Sequence, residues 1–222
     1  FVKIFKDNDL YIKFLSNTDE VISGIVYGGQ SKRKKNIFQP GFYLNFNIIK
    51  KTNKPASVDG ELCAPFVSNI VNDRFKLNCL LCVISLINLS IVEGQIVRNI
   101  FNISNDFLKL MFVNKKWLND YVLFLFKLLK IIGYEVEFIN DNNNKYFDLE
   151  KLEFCNYKSE QTLEFPYELF NNQCTKINKR MINNAFITFE TIFKKNHLSL
   201  FNLQLPNQYH LFKKLIIDKI NE

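Results

Sequence analysis

A change in the period of the hydrophobic residues near Pro65 limits the folds that this chain can adopt. Before Pro65, short apolar segments are separated by polar turns, and residues 42–48 alternate apolar and polar side chains. That alternation is typical of a strand with one buried face. After Pro65, the apolar residues follow the spacing of helices over long segments. The sequence therefore predicts an α+β protein with its strands first and its helices second.

The first 63 residues are predicted to form five short strands, at residues 1–5, 10–15, 21–27, 42–48 and 61–63. Gly24 lies inside the third strand, where a glycine often marks a bulge or the sharp bend of a small barrel. Residues 52–60 are predicted to be a polar connection that includes Lys54 and Pro55. Five strands with no room for more predict an OB-fold β-barrel over residues 1–63.

The rest of the chain is predicted to be helical, with helices at residues 75–92, 96–112, 117–132, 181–195 and 207–220. Gly133 suits the left-handed cap that ends the third of these helices. Residues 140–144 are predicted to be a loop, and residues 145–178 to be irregular. We therefore predict an α-helical domain at residues 64–139. Residues 140–222 are predicted to be an irregular segment plus C-terminal helices that pack on that domain.

The composition predicts a folded protein without a membrane span. Hydrophobic residues make up 47% of 222 residues, enough to bury a core. The most apolar run, residues 77–92, is shorter than the roughly 20 residues that cross a bilayer, and polar residues interrupt it. Five cysteines without regular spacing fit a cytoplasmic protein. The chain lacks a signal-peptide pattern and begins with Phe1, so we expect the native start to lie upstream.

Four consecutive cations, Lys32, Arg33, Lys34 and Lys35, are predicted to lie on a loop between the third and fourth strands. Residues 1–60 carry ten cations and five acids, a net charge of +5, out of +7 for the whole chain. Like charges on one loop are favourable when a polyanion neutralises them, and a nucleic-acid backbone is the obvious candidate. A second group, Lys50, Lys51 and Lys54, is predicted to contact phosphates from the neighbouring connection. The alternative for the first group is a solvated loop.

For the remaining polar and aromatic candidates, a structural role in the core or at the surface is favoured over a role in binding or catalysis. Tyr27, Phe38 and Tyr43 lie beside the cations and could stack on bases, but core packing is favoured for each. Cys79 and Cys82 are predicted to be core residues, because no second pair has metal-ligand spacing. Surface or structural roles are predicted for His197, His210, Asp59 and Glu61, and a core face for Trp117, Tyr121, Phe124 and Leu128. No catalytic residue is predicted.

The order of these parts resembles the bacterial RecO recombination-mediator family over most of the chain. The most specific match runs from Ile22-Ser23-Gly24 through Tyr27-Gly28-Gly29 and Ser31-Lys32 to Gln39-Pro40-Gly41. Weaker matches are Lys76-Leu77, Glu93, Phe101, Trp117, Tyr121, Phe124, Leu128-Leu129 and Gly133-Tyr134. The chain departs from the family at Leu125, where members often have glutamate. It also lacks the cysteine cluster that binds zinc in some members, since only Cys155 and Cys174 remain in that region, so zinc is not expected.

The resemblance implies an OB fold that binds single- and double-stranded DNA, followed by a helical domain, with no catalytic residues and no cofactor. It implies partnership with RecR, contact with the tail of single-stranded-DNA-binding protein, strand annealing, and help in loading RecA on gapped DNA in the cytoplasm. A hydrophobic pocket for the acidic tail would be flanked by one or more of Arg98, Lys115, Lys116, Lys127 and Lys130.

Two other functions stay open at this point. One is a protein-interaction adaptor whose barrel binds an acidic partner and never touches nucleic acid. The other is an RNA-binding OB protein, because phosphate contacts do not by themselves distinguish the two sugars.

Overall fold

The structure is a computed structural model that describes residues 1–52, 54–64, 66–134, 144–170 and 177–220. It confirms the α+β class, with a mixed sheet early in the chain and helices after it. The chain divides into two compact units, Phe1–Phe101 and Asn102–Glu222. The first unit extends beyond residue 63, where the first of the three predicted segments ends. It does so because residues after 64 form backbone hydrogen bonds with the first sheet. For example, Gly94 N donates to Val21 O over 3.0 Å, and Val97 N donates to Asp19 O over 2.8 Å.

The first unit contains a five-stranded sheet with one short helix inserted. Its elements are β1 (Val2–Phe5), β2 (Asp9–Leu15), β3 (Val21–Val26), α1 (Lys32–Ile37), β4 (Tyr43–Lys51) and β5 (Lys54–Ala64). The spatial order is β1-β2-β3-β5-β4, and every neighbouring pair is antiparallel except β3 and β5, where Ile25 lies opposite Ser57. A ladder between β1 and β4 would close this sheet into a barrel, and the described strands form none.

The predicted polar connection at residues 52–60 is wrong, because most of it belongs to β5. This strand pairs with β4 from Tyr43 opposite Ala64 to Lys51 opposite Lys54, in a long hairpin. Pro55 is accommodated at the turn end of the hairpin, where the register shifts between Ile49 and Lys51.

The sheet curls around one core. Leu10, Ile12, Val26, Phe38 and Val58 are all at most 5% exposed and form a single cluster. Partly buried side chains from three strands (β1, β2 and β4) and from α1 pack on the cluster: Val2, Phe14, Ile37, Leu44 and Phe46. The rings of Phe14 on β2 and Phe46 on β4 stack with their centroids 3.8 Å apart. Three strand spacings separate β2 from β4, about 14 Å in a flat sheet, so the sheet must bend strongly.

Gly24 allows β3 and β5 to approach each other. A Cβ atom at this position would overlap the side chain of Val58 and would lie 2.8 Å from the carbonyl oxygen of Ala56. The ladder between β2 and β3 has no bulge at this glycine, so its observed role is the close approach of β3 to β5.

The helix α2 (Arg74–Ser90) follows in the first unit, close to the predicted residues 75–92. The Asp73 carboxylate caps it by accepting hydrogen bonds from the backbone N–H groups of Phe75 and Lys76 at 3.0 and 3.1 Å. Cys79 and Cys82 on its buried face are both 0% exposed, so both are core residues as predicted. Leu80 on the same helix packs beside Gly41, where a Cβ atom would lie 2.6 Å from the leucine Cδ2.

The second unit is mainly helical. It contains most of α3 (Ile100–Val113), then α4 (Trp117–Ile131), α5 (Lys179–Phe193), a π-helical turn (Lys194–Leu198), α6 (Ser199–Phe201) and α7 (Asn207–Lys219). Gly133, with φ +93°, ends α4 as predicted. None of the helices in the described part of the chain is both long and apolar enough to cross a membrane.

Aromatic side chains dominate the core of the second unit. Trp117, Tyr121, Phe124 and Leu128 are all at most 8% exposed, which confirms the predicted core face of α4. The ring of Tyr121 meets Phe212 of α7 edge to face at 4.9 Å, and Phe124 stacks with Phe107 of α3 at 5.1 Å.

A small sheet lies in the region that we predicted to be irregular. Its strands β6 (Tyr146–Asp148), β7 (Glu153–Cys155) and β8 (Thr162–Glu164) are arranged in the order β7-β6-β8. Asp148 is 3% exposed, and its carboxylate accepts hydrogen bonds from the backbone N–H groups of Glu150 and Lys151 and from the Tyr157 hydroxyl, each at 2.9 Å. These donors, the Lys151 N–H above all, hold the pKa of Asp148 below its usual value.

Candidate nucleic-acid interface

The four consecutive cations lie on α1 and not on the predicted loop. Lysine and arginine are good helix formers, so a short run of them can adopt a helical turn once its ends are fixed. The N-terminal end is fixed at a glycine turn. Gly28, with φ +63°, donates its N–H to the Asp9 carboxylate at 2.9 Å, and Gln30 N donates to Asn8 O at 3.0 Å.

The C-terminal end of α1 is anchored in the core of the sheet. Ile37 and Phe38 pack there, and Phe38 is 2% exposed. A helix turns about 100° per residue, which puts Lys34 on the same side as these two residues. The predicted core role of Phe38 is confirmed, and its packing holds the C-terminal end of α1 against the sheet.

Lys34 turns back toward the sheet and is already paired. Its Nζ lies 3.3 Å from Asp59 Oδ1 on β5 and donates a hydrogen bond to the carbonyl oxygen of Tyr27 at 3.2 Å. The lysine side chain is 32% exposed and the aspartate side chain 66%. Asp59 therefore forms an ion pair with Lys34. The sequence did not indicate this pair, because 25 residues separate the two and no local spacing links them.

The other three cations of α1 point away from the core. Lys32, Arg33 and Lys35 are exposed, and none of them forms an ion pair with a described residue. Their positions on the helix flank the side opposite to Ile37 and Phe38. We call these three residues the α1 basic surface. It holds three positive charges on one anchored helix, which is the arrangement that attracts a polyanion.

The second predicted group is only partly described. Lys50 near the end of β4 is exposed. Lys51 and Lys54 lie opposite each other in the β4–β5 hairpin, but their side chains lie outside the described part of the structure. The structure thus brings the backbones of this group together at one hairpin end.

The aromatic candidates separate into three environments. Tyr27 is 53% exposed, so the prediction that it packs in the core is wrong. It directly follows β3 at the start of the glycine turn, and its carbonyl oxygen accepts a hydrogen bond from Lys34 Nζ. Tyr43 at the start of β4 is half-buried, and burial raises its pKa to about 12. A ring as exposed as that of Tyr27 is available for stacking on a base.

The candidate metal ligands do not assemble. Burial, together with the neighbouring Cys82, raises the pKa of the Cys79 thiol well above its usual value, which disfavours the thiolate that metals bind. Cys155 is a buried free cysteine, and Cys174 lies outside the described residues. Within the described ranges, no group of three or more His, Cys, Asp and Glu side chains could hold a metal ion.

The two histidines have the predicted surface or structural positions. His197 is 8% exposed in the π-helical turn, stacks on Phe193 at 5.1 Å and has its Nδ1 3.3 Å from the Tyr134 hydroxyl. His210 is exposed on α7.

Four of the five cations predicted to flank a peptide pocket lie at opposite ends of α4, and the fifth, Arg98, is exposed ahead of α3 in the first unit. Lys115 and Lys116 precede the helix, whereas Lys127 and Lys130 lie near its end, and all four are exposed. Fourteen residues of helix span about 21 Å, so the two pairs cannot flank one small pocket. A cavity of about 450 Å³ lies beyond the second pair. It is lined by Gly133, Tyr134, Leu152, Ile192, Lys195, Asn196 and Leu200.

Comparison of the chain with protein-family models and with curated proteins gives no match in either case. The candidate interface therefore depends on the geometry of α1 and on the sequence pattern around it.

Proposed function

We propose that this protein is a DNA repair and recombination mediator that binds single- and double-stranded DNA, largely without sequence preference, through the α1 basic surface. The observation that carries the proposal is the exposure of Lys32, Arg33 and Lys35 on a helix whose two ends are fixed. Contacts between lysine or arginine and phosphate provide affinity without reading the bases, because every nucleotide presents the same backbone.

An OB fold is proposed for the first 64 residues. Three features support it: the strand order β1-β2-β3-β5-β4, the parallel pairing of β3 with β5, and the helix between β3 and β4. The stacking of Phe14 on Phe46 adds to this, because it requires a strongly curled sheet. OB folds are five-stranded, partly open barrels that commonly bind oligonucleotides.

The wider role comes from the resemblance to the RecO family. It consists of annealing complementary strands and helping to load RecA on gapped DNA together with RecR, in the bacterial cytoplasm at the nucleoid. Such a role needs binding surfaces and no catalytic residue, cofactor or metal.

Contact with the acidic tail of single-stranded-DNA-binding protein is proposed at the cavity in the second unit. The Lys195 ammonium lies in its wall, held by the carbonyl oxygens of Leu149 and Glu150 at 2.9 Å each. Lys195→Ala should weaken binding of a fluorescent tail peptide, whereas Lys115→Ala, at the far end of α4, should not. Weakening by Lys115→Ala alone would place the tail elsewhere.

The α1 basic surface is tested by the salt dependence of DNA binding. Each phosphate contact on a single strand adds about 0.7 to the magnitude of the slope of log K against log salt. The triple variant K32A/R33A/K35A should therefore reduce the slope by about 2 when binding is followed by fluorescence anisotropy of a labelled single strand. The matched control K158A/K179A/K214A removes three exposed lysines of the second unit and the same net charge.

Two results would contradict the assignment of DNA binding to the α1 basic surface. An unchanged slope in the triple variant would remove α1 from the interface, and equal losses in both triples would indicate a general charge effect. Matched RNA strands serve as a competitor, and preferential binding of RNA would favour the RNA-binding alternative. Strand annealing, with and without single-stranded-DNA-binding protein, then tests the mediator role; failure in both conditions would contradict it.

A further inference from the structure

We propose that Asp59 is an internal counter-ion that competes with nucleic-acid phosphates for Lys34. The inference rests on the proposed function of the α1 basic surface and concerns its regulation. It predicts that one of the four cations in the run contributes little to binding, and that a single carboxylate is the reason.

The geometry distinguishes Lys34 from its neighbours. Its Nζ is 3.3 Å from Asp59 Oδ1, and the carbonyl oxygen of Tyr27 accepts a second contact at 3.2 Å. Lys35 is the adjacent residue of the same type on the same helix, and it forms no ion pair with a described residue. The two lysines therefore form a natural comparison of a paired and an unpaired cation.

The ion pair lies at the surface, where a phosphate can reach it. Asp59 is 66% exposed and Lys34 is 32% exposed, so solvent and ions have access to both charges. Exposed ion pairs are weak because water and salt screen them. A phosphate group can therefore displace the carboxylate without unfolding the site.

Displacing the Asp59 carboxylate from Lys34 by a phosphate has a free-energy cost that phosphate binding to the other three cations does not have. A phosphate that takes Lys34 leaves the Asp59 carboxylate beside a second negative charge, and that carboxylate must then recruit a cation from solution. The uptake of this cation offsets the counterion that the nucleic acid releases. The net contribution of Lys34 to the salt dependence of binding is thus close to zero, whereas each unpaired cation contributes about 0.7 on a single strand.

Three single variants test the inference through the salt slope with a labelled oligothymidine strand. Lys35→Ala should lower the magnitude of the slope by about 0.7, and Lys34→Ala should leave it nearly unchanged. Asp59→Asn should raise it by about 0.7. If the variant and the parent bind equally at about 1 M salt, this increase corresponds to about fivefold tighter binding at about 0.1 M.

Glu61→Gln is the matched control for net charge. Glu61 lies on the same strand, two residues beyond Asp59, and forms no ion pair with a described residue. It should leave the slope near the parent value. The double variant Asp59→Asn with Lys34→Ala should return the slope to that of Lys34→Ala alone, because the released lysine is then absent.

Several outcomes would overturn the inference. Equal effects of Lys34→Ala and Lys35→Ala would show that Asp59 does not neutralise Lys34. Equal increases in the magnitude of the salt slope for Asp59→Asn and Glu61→Gln would show that the effect comes from net charge alone. The proposed function survives either outcome where K32A/R33A/K35A still lowers the slope more than K158A/K179A/K214A does. If the parent protein binds the strand without salt dependence, both the inference and the proposed function are overturned.

Discussion

The five-stranded sheet of the first unit and the three-stranded sheet of the second unit are stabilised by different interactions. Strands of the first sheet have four to eleven residues, and their ladders enclose one apolar core. Strands of the second sheet have three residues each. Around them, the carboxylate of Asp148 binds three donors, and the rings of Phe147, Phe154 and Phe165 pack edge to face. Long hydrogen-bonded ladders around an apolar core stabilise the first sheet. One carboxylate and a cluster of aromatic rings stabilise the second.

The difference predicts where each sheet is vulnerable. The first sheet should be sensitive to changes in the space between its strands and tolerant of changes to single polar groups. The second should be sensitive to the loss of one acceptor, because three-residue strands form too few ladder bonds to hold their register without it.

Gly24→Ala should have the largest effect, on the first sheet. The added Cβ would meet the Val58 side chain and the Ala56 carbonyl oxygen, and backbone cannot move aside cheaply. We expect the free energy of unfolding to fall by about 1 to 3 kcal/mol, measured by urea denaturation. Asn47→Ala, an exposed position on β4, is the control and should change it by less than about 0.5 kcal/mol. Equal effects would mean that the space between the strands is not limiting.

Asp148→Ala should have the next largest effect, confined to the second sheet. The backbone N–H groups of Glu150 and Lys151 lose their acceptor, and the Tyr157 hydroxyl loses its own. Hydrogen exchange at the amides of β6 to β8 should accelerate, while the amides of β2 and β3 stay protected. Asp148→Asn keeps a carbonyl acceptor and should retain most of the protection. Uniform acceleration in both sheets would contradict the comparison.

The stacking of Phe14 on Phe46 should contribute a smaller, coupled effect. A double-mutant cycle with Phe14→Ala and Phe46→Ala should give a coupling energy of about 0.5 to 1.5 kcal/mol, because the rings touch across the curled sheet. The cycle of Phe14→Ala with Ile49→Ala, a 58% exposed residue on β4, should be additive. Additivity in both cycles would argue against the curvature.

Acid should affect the second sheet through Asp148, with the smallest expected effect. The hydrogen bonds that the carboxylate accepts hold its pKa below the usual value of about 3.9. The folded state therefore takes up this proton less readily than the unfolded state. The stabilisation is complete above about pH 4 and is lost as pH falls through the lowered pKa of the folded protein. Protection of β6 to β8 should fall in that window, and Asp148→Asn should remove this pH dependence.

The sequence predicts β4 well and β5 poorly, although the two strands pair along most of their length. In β4, large apolar residues alternate with asparagines, so the period of two is plain. In β5, the inward positions include Gly60 as well as Val58, and Pro55 is the second residue, so the sequence of the segment resembles that of a loop. The partner strand, and not intrinsic preference, makes β5 a strand.

The run of charges in the sequence predicts where the candidate site lies. It does not predict that this segment is a helix. The run of Lys32 to Lys35 identifies the segment, and no apolar periodicity marks it as helical before Ile37 and Phe38. Once the helix is known, its geometry separates Lys34 from the other cations. Its pairing with Asp59 depends on how β5 folds back, which no local pattern encodes. The small sheet was missed for a related reason, since three-residue strands are too short to display a period.

The parallel pairing of β3 with β5 has a consequence for synthesis of the chain on the ribosome. Ile25 lies opposite Ser57, so 32 residues must be added after Ile25 before its partner exists. At about 5 to 20 residues per second, translation takes roughly two to six seconds over this distance. During that time the nascent β1–β2–β3 meander exposes a free strand edge, which invites pairing with other chains. The elongation rate between Ile25 and Ser57 thus sets how long this strand edge stays without its partner.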